Sequence, residues 1–173
     1  MKKCIPFLSL CLILTAAVFA QGTPKKVMNP KGLDKFIADY PKITKELEAS
    51  GIQDKAAAME GQMNGGPNAS AGSEPFYVVM KKSIGEVKKA PQWKSILRKY
   101  GWSDDFWDYL YALSVGSYVS SMEQYGGDQL PENMKKDIQG GKAAVHKDDL
   151  ALIQKNLEKI MAMMDESSNG ENN

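Results

Sequence analysis

The 173-residue chain carries 22 Lys and Arg against 21 Asp and Glu, a formal net charge of +1, and 43% of its residues are apolar. That balance gives no global attraction to nucleic acid or to an anionic membrane, and the length suits one domain with a sizeable core. Both cysteines, Cys4 and Cys11, lie near the N-terminus, so the remainder has no disulfide, no cysteine metal site and no cysteine nucleophile.

The chain opens with MKKCIPFLSLCLILTAAVFA. Lys2 and Lys3 precede an apolar run, and Val18-Phe19-Ala20 ends on a small residue, so residues 1–20 read as a secretory signal cleaved after Ala20. Lipidation at Cys11 fits poorly, because Leu10 is too large for the position before a lipidated cysteine. Cleavage removes Lys2 and Lys3, leaving a net charge of −1 on an exported, periplasmic or extracellular protein with no membrane span in its mature part. Residues 21–30 (QGTPKKVMNP) are polar and bounded by proline, the composition of a flexible lead.

From Lys31 onward apolar residues recur at spacings of three and four. Leu33, Phe36, Ile37 and Tyr40 share one helix face, as do Ile43 and Leu47. Pro41, Pro91 and Pro131 each sit where the first turn of a helix accepts proline. Gly51 and Gly101 follow helical runs and precede Ile52 and Trp102, the glycine-plus-hydrophobe pattern of a Schellman stop. PKITKELEASGIQDK from Pro41 aligns with PQWKSILRKYGWSDD from Pro91 at an offset of fifty, which predicts two similar corners. Residues 63–75 (MNGGPNASAGSEP) have the composition of a mobile loop. Phe76 to Met80 could be a strand, but Phe76, Met80, Ile84 and Val87 continue at helical spacing, so the segment is predicted as helix.

Residues 74–102 hold seven Lys and Arg against two Glu, whereas residues 103–173 hold six Lys against thirteen Asp and Glu. The basic run comprises Lys81, Lys82, Lys88, Lys89, Lys94, Arg98 and Lys99. It is a candidate docking surface for an envelope protein, an anionic polymer or an anionic lipid. Nucleic acid is a poor partner for an exported chain of near-zero charge. The plain alternative is that these cations merely solvate outer helix faces.

Ser103 is a good N-cap, and with Ser103 as cap Trp102 and Trp107 occupy the two positions of a hydrophobic staple. Asp104 and Asp105 then meet the positive end of the helix dipole. Residues 104–124 are apolar nearly all round, with a narrow polar sector near Asp105, Asp108 and Glu123, so this is predicted to be the central helix of a bundle. Its uncharged stretch, Tyr109 to Met122, is fourteen residues, too short to span a bilayer. Gly116, Ser114, Ser117, Ser120 and Ser121 would let neighbours approach, with the hydroxyls bonding back to carbonyls of the preceding turn. A sharper reading makes Trp102, Trp107, Tyr111 and Tyr118 the lining of a groove for a flat ligand, with Asp104 or Asp108 as polar partner.

Residues 125–130 (YGGDQL) end this helix and Gly140-Gly141 ends the next. His146, the one histidine, stands beside Asp148 and Asp149 and reads as the solvated entry to the last helix rather than as a base or ligand. Leu150, Ile153, Leu157, Ile160, Met161 and Met164 fall within an arc of about 100°. That places Met161 and Met164 in the core and turns Met163 outward, which argues against a thioether copper site. Residues 165–173 (DESSNGENN) have the composition of a disordered tail.

The sequence thus predicts an all-α fold, one irregular bundle of about six to eight helices over residues 31–164, packed around helix 104–124. No nucleophile, zinc or cofactor motif is present, and no catalytic residue, metal ligand or cofactor is assigned. The leading expectation is an exported, non-catalytic binding or envelope-associated module. The alternatives are an envelope enzyme acting on glycan or peptide through carboxylates, and a periplasmic carrier of a metal or small ligand using Met and aromatic residues.

Overall fold

A computed structural model describes residues 23–50, 74–126 and 129–168, and among these seven α-helices and no strand form a single helical bundle. In chain order they are α1 (Pro30–Ala49), α2 (Phe76–Val87), α3 (Gln92–Lys99), α4 (Asp105–Gly126), α5 (Glu132–Ala144), α6 (Lys147–Lys155) and α7 (Leu157–Ser168). The expected leader 1–20, Gly51 with the first of the two similar corners, and nearly all of the loop 63–75 lie outside the described residues.

Helix α4 is central because its apolar residues leave it almost no face for water. It packs against α1, α2, α5, α6 and α7. Phe106, Leu113, Val115 and Val119 are essentially inaccessible, while Asp105, Asp108 and Glu123 form the exposed sector. Close approach depends on small residues, as expected. A Cβ at Gly116 would collide with Ile153 of α6, and one at Gly32 of α1 with the Tyr109 ring. Two of the serines act differently from expectation. Ser117 and Ser120 are buried, but their hydroxyls have no hydrogen-bond partner among the described residues, so they serve as small spacers rather than as back-bonded donors.

The second corner forms as predicted. Gly101 has φ +67°, a conformation open to a residue without Cβ, and the Gly101 and Trp102 amides donate to Arg98 and Leu97 carbonyls at 3.0 and 2.9 Å. The start of α4 departs from the simple cap. The Ser103 hydroxyl donates rather than accepts: it and the Ser103 amide both bond to Asp105 Oδ1, at 2.7 and 3.0 Å, while the Ser103 carbonyl accepts the Phe106 amide at 3.3 Å. Burial pulls the Asp105 carboxyl up, but these bonds and backbone amides outweigh it and leave it below the ordinary range. The staple is redistributed too. Trp102 meets Phe106 edge-on at 5.7 Å, and Trp107 turns to Trp93 at 4.7 Å.

Other expectations need correction. Pro41 lies inside α1 rather than at a helix start. A proline there costs about 3 kcal/mol. Burial of Ile43 and Leu47 beyond it, about 1.5–3 kcal/mol each, offsets that, and Thr44 Oγ1 donates to the Tyr40 and Pro41 carbonyls. Gly140 and Gly141 lie within α5, where side chains would strike Tyr77 and Val119. The last helical stretch is broken at Asn156, whose Nδ2 donates to the Leu152 carbonyl at 2.8 Å. The break resets the helical phase: Ile160 is buried and Met164 packs half-buried on the core as expected, but Met163 is buried and Met161 is 41% exposed, the reverse of the placement expected for those two. Residues 165–168 belong to α7, not to a tail.

Residues 24–29 are docked where composition suggests a loose lead. The Val27 and Met28 amides donate to the two oxygens of Asp149 at 2.9 and 3.0 Å, and Met28 is buried. Lys26 pairs with Asp148 at 3.0 Å, which holds the Asp148 carboxyl below its ordinary value.

Candidate functional site

The seven basic residues of the run lie on α2, on α3 and on the joint between them, and all are exposed. The helices face inward with Met80, Ile84, Val87, Ala90 and Leu97, which fixes the cations on the outside. Lys82 pairs with Glu74 at 2.6 Å, Lys89 with Glu86 at 2.7 Å and Lys99 with Glu46 at 2.6 Å. Lys81, Lys88, Lys94 and Arg98 have no ion pair among the described residues. Lys81 on α2 and Lys88, the C-cap residue that follows it, are seven positions and about two helical turns apart; Lys94 and Arg98 are one turn apart on one face of α3.

The four residues of the expected groove do not share an open face. Trp102 is 6% exposed and Trp107 3%, while Tyr111 and Tyr118 are half-buried. Trp102 sits between Phe36, Phe106 and Tyr109, its Nε1 donates to Asp39 Oδ2 at 3.1 Å, and Lys35 lies 4.0 Å over its ring. The Tyr118 ring lies tilted by 31° against Phe76, centroids 4.6 Å apart, and its hydroxyl donates to Asp137 Oδ2 at 3.0 Å. Burial, then the Asp137 charge and hydrogen bond, push its phenol up to about 12. No family model, curated protein or solved structure matches the chain.

Several carboxylates are committed to the chain's own groups, whereas Asp104 and Asp108 stand exposed at the start of α4. Asp137 also accepts the Phe76 amide and so closes the start of α2. Asp149 holds two amides, and Glu46 accepts from Lys99 and, at 2.5 Å, from Tyr100 Oη. The Lys99 and Tyr100 bonds lower the Glu46 carboxyl, and Glu46 in turn raises both partners. His146 Nδ1 accepts the Asp148 amide at 3.1 Å, capping α6, and is partly covered rather than freely solvated. Among the described residues no group of three or more His, Cys, Asp or Glu is placed to hold a metal ion, and no helix is long and apolar enough to cross a membrane. The nodes at Asp39, Glu46, Asp137 and Asp149 escape sequence reasoning because most of their partners stand about 50 to 120 residues away.

Proposed function

We propose that this chain is an exported, non-catalytic binding module that holds an anionic envelope partner on the α2–α3 surface. The observation that carries this is the set Lys81, Lys88, Lys94 and Arg98: four exposed cations with no ion pair among the described residues, on and beside helices whose apolar sides are committed to the core. Acid–base work is less well supported, because Asp137 and Asp149 spend both oxygens on internal donors and His146 spends Nδ1 on a helix cap. Attraction between such a surface and an anion is screened by salt, with a Debye length of about 10 Å at 0.1 M. The processed protein should therefore sediment with its native envelope fraction at low salt and be released at high salt. Replacing the four cations with Gln should abolish retention while leaving the melting temperature in place. Equal retention of the variant would refute the proposal.

A further inference from the structure

We propose that the occupant of the α2–α3 surface is an anionic lipid surface presenting phosphate head groups; this rests on the reading above. Lys81 and the C-cap residue Lys88 lie about 10 Å apart along the α2 axis, and Lys94 and Arg98 about 6 Å apart along α3. Between the first two stands exposed Gly85, which adds no counter-charge of its own.

What accompanies the charges decides the partner class. A protein partner is ordinarily anchored by aromatic or apolar side chains in the middle of the contact. Here the rings of the run are turned to internal work: Trp93 lies against Trp107 at 4.7 Å, and Tyr100 is bonded to Glu46. The large apolar residue standing exposed among the described residues is Met161, on α7. Single-stranded nucleic acid and glycans are bound by stacking on exposed rings, and the same inward turn withholds that platform. Three of the four cations are lysines, point charges without the planar fork that selects a fixed bidentate partner. A fluid leaflet needs no anchor and no fixed complement, because its head groups move laterally to meet each cation, and it rewards each basic residue near its surface.

The test is sedimentation of the natural, processed protein with phosphatidylcholine vesicles made with and without phosphatidylglycerol, at low salt, with inorganic polyphosphate as the soluble competitor. Binding should require phosphatidylglycerol. Lys81→Gln with Lys88→Gln, and separately Lys94→Gln with Arg98→Gln, should each weaken it by roughly tenfold or more, and all four together by about a hundredfold or more. Circular dichroism confirms that each variant is folded. Failure to bind vesicles, with charge-dependent retention on the native envelope intact, would overturn the lipid assignment and leave a protein or polymer as partner. Binding to polyphosphate without binding to vesicles would do the same. Vesicle binding untouched by the four substitutions would overturn both the lipid assignment and the basic-surface reading.

Discussion

Trp107 is 3% exposed and lies edge-on to both Trp93 and Phe106. Its truncation to Ala removes a large side chain from a close-packed cluster, and chemical denaturation should show a loss of about 3–5 kcal/mol. An unchanged midpoint would place this indole at the surface. Tyr118 gives a pH-dependent counterpart. Its phenol titrates at about 12 in the folded state against an ordinary 10.0, so the folded chain holds that proton more tightly. The stability it contributes is complete below pH 10 and is lost as pH rises toward 12. Tyr118→Phe should make the alkaline fall of the denaturation midpoint shallower, and cost about 1 kcal/mol at neutral pH through the lost bond to Asp137. At this scale, inward-facing rings were legible because a nearly all-apolar helix has nowhere else to put them. The carboxylate nodes were not, since an isolated aspartate carries no sign of a distant amide.

Helix ends follow local chemistry, and the two glycines of the basic corner separate the rules. Gly85 is exposed inside α2 with open space around it, so Gly85→Ala should stabilise by about 0.5–1 kcal/mol. Gly101 has equally open space but a positive φ, so Gly101→Ala should destabilise by about 1–2 kcal/mol. Paired thermal melts moving in the same direction would contradict this account of the corner. The stop at Gly101 was readable because glycine and the following hydrophobe both act within one turn. The interior proline of α1 and the rotated methionines of α7 were not. Pro41 is tolerated through burial on both sides of it, and the phase of α7 is set by a turn at Asn156 that periodicity alone runs straight through.

Across the whole molecule, Asp149 joins the segment before α1 to the start of α6, a link spanning more than a hundred residues. Removing a buried acceptor from two amides leaves both without that partner, at about 1–3 kcal/mol each. Asp149→Ala should lower stability accordingly, and hydrogen exchange should quicken first at Val27 and Met28. Protection retained there would show that packing of Met28 alone holds the segment. The all-helical bundle around α4 was visible in the sequence; the basic surface was visible as composition, but its division, among the described residues, into three cations with ion pairs and four without required the fold. The three tryptophans, finally, all stand near the start of α4: Trp93 against Trp107, and Trp102 and Trp107 each against Phe106. Intrinsic emission is therefore a gauge of one pole of the bundle. Comparing its transition with the far-ultraviolet helical signal of the chain reads out whether the two poles melt together, with no label added.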